Sequence, residues 1–226
     1  MKKGEIDMHI TEGILPLKWA GIWYGVSAPF VAMGLMVLKA KTKGDITFKI
    51  MLGMVGAAVF VISCMPVPVP TAGTCSHPCG TGISGILLGP IMSIFVTSIA
   101  LLIQALFMAH GGITTWGADI VSMGIVGSYA GFLTFRGLTF LRVHPVISAF
   151  VAGVLADWAT YLTTSFELAS ALKGDGSFWT LFWTILVAFI PTQLPLGILE
   201  GAMTGGMVGF MLKRRPDILA RFGIIK

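Results

Sequence analysis

Charged residues are scarce in this chain. Only 11% of its 226 residues are Asp, Glu, Lys or Arg, whereas 55% are hydrophobic, and the mean hydropathy is +0.89. Because soluble domains carry about 25% charged residues, the shortage excludes an ordinary soluble domain and indicates an integral membrane protein. The apolar runs are continuous rather than alternating, and several reach the roughly 20 residues that a helix needs to cross a bilayer. The sequence therefore predicts α-helical spans.

Three further features are missing or scarce. The three cysteines do not make a disulfide scaffold, since Cys64 lies inside an apolar run. Residues 1–7 carry charge but lack the apolar core of a cleavable signal peptide. The chain contains no G-x-x-x-x-G-K-[ST] motif. If this protein moves a solute uphill, another subunit must bind the ATP.

The hydrophobic pattern predicts six plain spans and one short extra segment. The plain runs cover residues 16–38, 48–65, 82–109, 117–135, 144–171 and 177–212. Gly89-Pro90 divides the third run, because proline removes a backbone donor and clashes with the preceding turn. We therefore expect a short helix at 79–89, followed by a span at 91–110. The predicted fold class is an all-α polytopic membrane protein with about seven transmembrane helices, one of them short or re-entrant.

The basic residues predict the orientation. Lysines surround the first loop, at Lys39, Lys41, Lys43 and Lys49, and more basic residues lie in the loop 136–142 and at the carboxyl end. The positive-inside rule places these segments in the cytoplasm, so the amino terminus is expected outside. An odd number of crossings is then required, which the short segment would supply. Within the last run, Pro191 and Pro195 predict a kink or a break.

Two histidine-bearing islands lie outside the apolar runs. One is Met8-His9 and the other surrounds His77. The predicted topology places both on the external face. Two imidazoles at one membrane boundary suggest capture of a borderline divalent metal ion.

Several short motifs stand in order along the chain after residue 7. They are residues 8–16 (MHITEGILP), 75–82 (CSHPCGTG), 83–90 (ISGILLGP), 110–117 (HGGITTWG), 122–125 (SMGI), 156–161 (ADWATY), 192–195 (TQLP) and Glu200-Gly201. Together they resemble the CbiM family, the cobalt substrate-capture (S) components of energy-coupling factor (ECF) transporters. The related nickel components, the NikM proteins, share the Met-His pair and the loop histidine. The Cys-Ser-His-Pro form of the loop is closer to the cobalt branch.

The resemblance implies a metal site made of nitrogen atoms. Its ligands would be the free amine of Met8, the backbone nitrogen and imidazole of His9, and the imidazole of His77. An amine, the next amide nitrogen and that residue's Nδ1 close a five-membered and a six-membered chelate ring. Such a planar set suits Ni(II) and Co(II) rather than the oxygen-preferring Mg(II) and Ca(II). The chain then divides into a metal-capture segment (1–15), one transmembrane domain (16–212) and a basic cytoplasmic tail (213–226).

The amino terminus departs from the family pattern. Met8 is preceded by seven residues, so its nitrogen would be an amide and could not serve as the amine donor. Either translation starts at Met8 or the first seven residues are removed. We favour a start at Met8, because the codons for Lys3-Gly4-Glu5 resemble a ribosome-binding site.

Other polar residues have more than one interpretation. Cys75, His77 and Cys79 form a C-x-H-x-C cluster that could bind Zn(II) or Cu(I), and Cys75 and Cys79 could form a disulfide. Glu12 is expected to stabilise the amino-terminal loop. His110 and Asp119 are expected to pack at a helix end or to support the ligands. Acidic residues in or near spans favour a hydrogen-bonded structural role over an ion relay; besides Asp119, they are Asp157, Glu167 and Glu200.

The resemblance implies a receptor that captures Co(II) outside and delivers it inward for cobalamin synthesis. Its partners would be a transmembrane coupling subunit, ATPase subunits and a small accessory membrane protein. Nickel is the alternative substrate. A metal-dependent membrane enzyme would need an open coordination position and a base near the ion, and the sequence has no H-E-x-x-H motif or carboxylate pair beside the histidines. A secondary carrier using Asp119, Asp157 and Glu200 is a further hypothesis.

Overall fold

The computed structural model describes residues 10, 12–65, 67–69, 74–108 and 110–225, with the backbone alone for 67–69, 74 and 75. The helices in this part of the chain are α1 (Leu17–Lys41), α2 (Ile46–Ser63), α3 (Thr81–Leu88), α4 (Pro90–Phe107), α5 (Trp116–Asp119), a π-helical segment (Ile120–Gly127), α6 (Ser128–Phe140), α7 (Pro145–Leu172), α8 (Phe178–Arg214) and α9 (Pro216–Arg221). A small antiparallel hairpin pairs β1 (Val67–Val69) with β2 (Thr74–Ser76).

Six helical stretches in the described residues are long and apolar enough to cross a membrane, as predicted. They are α1, α2, α4, the combined stretch Trp116–Phe140, α7 and α8. The short segment expected at 79–89 is α3, which spans about 12 Å at 1.5 Å per residue. All eight of its residues are buried. Gly89, with a φ of 80°, ends α3, and Pro90 begins α4.

The last long helix continues through both prolines. α8 runs without interruption from Phe178 to Arg214, so the chain does not break at Pro191 or Pro195. A proline leaves a backbone carbonyl without its helical partner, and in membranes a neighbouring helix can supply a donor. Here Trp158 of α7 donates its indole N–H to the carbonyl oxygen of Gln193, 3.0 Å away. Pro191 and Pro195 remove the helical donors of the Val187 and Pro191 carbonyls, so this bond joins α7 to α8 between the prolines without replacing either lost donor.

Helices α3, α7 and α8 approach one another closely through glycines, which let helix backbones come near each other. A Cβ added at Gly82 would lie 2.8 Å from the Cα of Gly153. A Cβ added at Gly153 would lie 2.8 Å from the carbonyl oxygen of Glu200. Side chains at these positions would push the three helices apart. The fold thereby holds α3 in the interior, packed mainly against α2, α4, α6 and α7.

The carboxyl end folds back against α2. In α9 Leu219 is fully buried, and the ring of Phe222 lies 6.1 Å from that of Phe48. Arg221 forms an exposed ion pair of 3.0 Å with Asp45, the residue that caps the start of α2. The segment predicted as a basic tail therefore includes a short helix that joins the core.

Candidate metal-binding site

His77 lies in a buried loop between β2 and α3. Its side chain is 2% exposed. Its Nδ1 lies 3.0 Å from the carbonyl oxygen of Pro78, and because a carbonyl only accepts, Nδ1 carries the proton. This tautomer places the imidazole lone pair on Nε2. A neutral histidine oriented through one nitrogen is the usual arrangement of a metal-binding imidazole.

Two helices fix the backbone of this loop. The hydroxyl of Tyr161, on α7, accepts a hydrogen bond from the His77 N–H at 3.2 Å and donates one to the His77 carbonyl at 3.1 Å. From α8, the carboxylate of Glu200 accepts from the N–H groups of Cys79 at 2.6 Å and Gly82 at 3.3 Å. The amide of Gln193, also on α8, donates to the hydroxyl of Ser76. The loop is therefore tied to α7 and α8 both before and after His77.

His110 is the close neighbour of His77. Their ring centroids lie 5.3 Å apart at an interplanar angle of 72°, and His110 is 1% exposed. It lies between α4 and α5, at the same end of the molecule as His77. The structure thus brings together two histidines that are far apart in the sequence, and the supporting role of His110 stays a prediction.

Burial keeps both imidazoles neutral. It lowers the pKa of His77 to about 4, although the hydrogen bond to Pro78 opposes the shift. Burial also lowers the pKa of His110 to about 3, and the proximity of His77 adds to the effect. At pH 7 the lone pair on Nε2 of His77 is therefore not blocked by a proton. His77 can therefore act as a metal ligand with His110 beside it. Because both rings are neutral, the pair does not form a cationic site for an anion.

The segment after the Met8-His9 motif is held against the loop that carries His110. Met8 and His9 themselves lie outside the described residues, so their role as ligands stays a prediction. Ile10 is buried against Leu15 and Ala118. The carboxylate of Glu12 accepts a hydrogen bond from the backbone N–H of Thr114 at 3.1 Å. The residues that follow the predicted ligand pair are therefore packed and hydrogen-bonded to the rest of the protein.

Asp119 strengthens the same anchor. It is 6% exposed, and the hydroxyl of Thr115 and the backbone N–H of Ile10 lie near its carboxylate. A Cβ at Gly112 would overlap the carboxylate of Glu12, so the close approach requires glycine there. Asp119 thus lies beside Ile10, the residue that follows His9, and its supporting role stays a prediction.

A second polar cluster lies next to the His77 loop. One ligand-type atom from each of Cys79, Asp157 and Glu200 lies within 4.8 Å of the others, and all three residues are buried. The thiol of Cys79 donates to Asp157 at 3.8 Å. Burial raises the pKa of this thiol, and the carboxylates of Glu200 and Asp157 raise it further. The thiol is therefore protonated at neutral pH in this arrangement and donates to Asp157.

Two sequence-based hypotheses concern residues of this cluster: a disulfide at Cys79 and a secondary carrier that uses buried carboxylates. Cys79 is a free thiol, so the disulfide with Cys75 is not formed in this structure. Asp157 and Glu200 meet in this cluster, whereas Asp119 contacts Ile10. The three carboxylates named for a secondary carrier therefore belong to two separate groups.

Two residues that fix the His77 loop were not predicted from the sequence. Tyr161 and Gln193 contact the loop across 84 and 117 positions of the chain. Both lie within the short motifs 156–161 and 192–195, but those motifs carry no signal of which segment their side chains contact. Their roles follow only from the packing of α7 and α8 around the loop.

Fold and site together define a multi-pass α-helical membrane protein with a buried, neutral histidine pair at one end. Residues 9–218 match the family described as CbiM, the cobalt uptake substrate-specific transmembrane region. The chain belongs to this family.

Relatives of the chain carry the name of the same family. The chain is 58% identical over 218 residues to the cobalt transport protein CbiM of Geobacter sulfurreducens, a match that covers 96% of this chain and 63% of that protein. It is 52% identical to the cobalt transport protein CbiM of Sorangium cellulosum, over 97% of both chains. The crystal structure of a truncated transition metal transporter superposes with a TM-score of 0.79 at 24% identity, covering 91% of this chain and 99% of that one. This last likeness concerns the fold alone.

Proposed function

We propose that this protein is the substrate-binding membrane component of an ATP-driven ECF transporter that imports Co(II) for cobalamin biosynthesis. The observation that carries the proposal is the neutral His77, oriented by Pro78 and clamped by α7 and α8, in a chain of the CbiM family. Two relatives that share more than half of their aligned residues with it are named cobalt transport proteins.

The ion would be bound by four nitrogen atoms. The proposed ligands are the amine of Met8, the backbone nitrogen and imidazole of His9, and Nε2 of His77. Support comes from the tautomer of His77 and from the anchoring of Ile10 and Glu12 beside the His110 loop. His110 and Asp119 would hold the ligands in place without completing the chelate. Such an all-nitrogen site suits late first-row divalent ions.

The energy would come from partner subunits. The chain carries no P-loop motif, and we propose a transmembrane coupling subunit, ATPase subunits and a small accessory membrane protein as its partners. The amino terminus and the histidine end would face the outside, with the carboxyl end in the cytoplasm. Lysines around the loop that joins α1 to α2 support this orientation.

Nickel is the second candidate substrate. The same nitrogen donors bind Ni(II) at least as tightly as Co(II) in the general affinity order of divalent metals. Competition between the two ions in a transport assay of the assembled complex separates these substrates. Preferential uptake of Ni(II) would favour the nickel function.

The test is metal binding by purified protein with two different starts. We expect the chain beginning at Met8 to bind Co(II) tightly and the chain beginning at Met1 to bind weakly, because only the first offers a free amine. His77→Ala in the Met8-started chain should abolish tight binding. Isothermal titration calorimetry in detergent measures all three. Equal binding by both starts would exclude the amine of Met8 as a ligand, and tight binding by His77→Ala would exclude the proposed site.

A further inference from the structure

The loop that carries His77 is buried although it has no regular secondary structure. Residues 76–80 are all buried, and 77–80 lie between β2 and α3. Buried backbone groups need hydrogen-bond partners, because they have lost those that water would supply. For this loop, side chains of α7 and α8 are among those partners. The direction of the His77 imidazole therefore depends on residues that the sequence places far away.

Glu200 contributes two of these contacts. Its side chain is fully buried, and its two carboxylate oxygens accept from the N–H groups of Cys79 and Gly82. Gly80, the residue that precedes α3, has a φ of 70° and no side chain to cap the helix. The carboxylate of Glu200 thus satisfies amides at the start of α3 from a different helix. A negative group at a helix amino terminus is favourable because the helix dipole is positive there.

Tyr161 contributes the complementary contacts. Its hydroxyl bonds to both the N–H and the carbonyl of His77, so it fixes the peptide units on either side of the imidazole. Glu200 fixes the chain two residues later. Between these two supports, the ring is oriented by the carbonyl of Pro78. Movement at either support would rotate the ring and displace Nε2.

We infer that Glu200, together with Tyr161, is a positioning residue for metal binding: neither touches the ion, and both fix the His77 imidazole through its backbone. The inference rests on the proposed function, since it takes His77 as a ligand. Groups that orient a metal ligand typically change metal affinity about 10–100-fold when they are removed. A mere contribution to folding would lower stability without changing the coordination of the ion once it is bound.

The experiment uses Glu200→Gln, Tyr161→Phe and a matched control, in the chain whose start binds Co(II). Glu200→Gln keeps the size but replaces one accepting oxygen with an NH₂ group that faces a backbone N–H. Tyr161→Phe removes only the hydroxyl. Thr204→Val is the control, because Thr204 is fully buried one turn further along α8 and its hydroxyl has no partner among the described residues.

Two quantities are measured: Co(II) affinity by calorimetry, and the visible absorption spectrum of bound Co(II) at saturation. We expect Glu200→Gln and Tyr161→Phe each to weaken binding about tenfold or more and to shift the d–d bands, because the ligand geometry changes. Thr204→Val should leave both unchanged. If Glu200→Gln fails to fold, Tyr161→Phe alone decides.

Three outcomes would overturn the inference. The first is wild-type affinity and an unaltered spectrum in both variants. The second is an equal loss in Thr204→Val, which would reveal a general packing effect. The third is a thiolate-to-cobalt charge-transfer band in the parent chain, which would show that a cysteine binds the ion and would favour a site in the cluster of Cys79, Asp157 and Glu200. Absence of Co(II) binding by the parent chain is a different result, because it removes the proposed function itself.

Discussion

The backbone of His77 and its imidazole are fixed by different partners. Tyr161 holds the peptide units, and the carbonyl of Pro78 holds Nδ1. Cys79 is two residues away, yet its thiol contacts Asp157 rather than the histidine pair. Only the backbone N–H of Cys79 takes part in fixing the loop, through Glu200. The thiol is therefore dispensable for a site built on His77.

This separation predicts the effect of Cys79→Thr. Threonine keeps the backbone N–H and a hydroxyl donor for Asp157, so we expect Co(II) affinity close to that of the parent chain. Calorimetry in reducing buffer measures it, with Cys64→Ser as the control for removal of a thiol elsewhere. A large loss of affinity in Cys79→Thr alone would support the Cys75-His77-Cys79 site instead.

Helix packing around α3 depends on glycines that face a neighbouring backbone. A Cβ at Gly201 of α8 would lie 2.7 Å from the carbonyl oxygen of Phe150 and 2.6 Å from Cγ2 of Val154, both on α7. Gly206, five residues further along the same helix, has nothing within 4 Å of the corresponding point. A methyl group added at Gly201 would therefore clash with α7, whereas one added at Gly206 would enter open space.

We expect Gly201→Ala to destabilise the protein by about 1–3 kcal/mol, the usual cost of overpacking. Gly206→Ala should be neutral or slightly stabilising, because alanine is the better helix former. Thermal unfolding in detergent, followed by circular dichroism, measures both. Equal melting temperatures for the two variants would contradict the close packing of α7 and α8.

The whole molecule has two distinct ends. The histidine pair and the Glu12 anchor lie at one end, whereas the loop between α1 and α2 carries Lys43 and exposed basic neighbours. Asp175 lies exposed in the loop that joins α7 to α8, which the proposed topology places outside with the histidines. An asymmetric distribution of charge of this kind sets the orientation of a membrane protein.

This orientation predicts which introduced cysteine is labelled in intact cells. Asp175→Cys should react with a membrane-impermeant maleimide, whereas Lys43→Cys should react only after the membrane is permeabilised. The parent chain, treated in parallel, accounts for the native thiols. The reverse pattern would place the histidine end in the cytoplasm, where it could not capture an external ion.

The sequence alone determined the six spans, the short α3 segment and the identity of the predicted metal-binding histidine. Span length follows from bilayer thickness, and a Gly-Pro pair ends a helix through purely local chemistry, so both could be predicted from neighbouring residues. The continuity of α8 at Pro191 and Pro195 could not, because neighbouring segments decide whether a proline interrupts a helix in a membrane.

Only the tertiary structure decided how His77 is held. Its supports come from Tyr161 and Glu200, which act on the loop across 84 and 121 positions of the chain. The sequence marks Glu200 as a buried acidic residue but does not show which segment it or Tyr161 contacts, because a side chain in an apolar helix has the same local pattern whether it faces a loop or another helix. The packing of α9 on α2 could not be predicted from the sequence for the same reason. Local physical chemistry fixes the elements, whereas contacts between distant segments fix the direction of the side chain that would bind the ion.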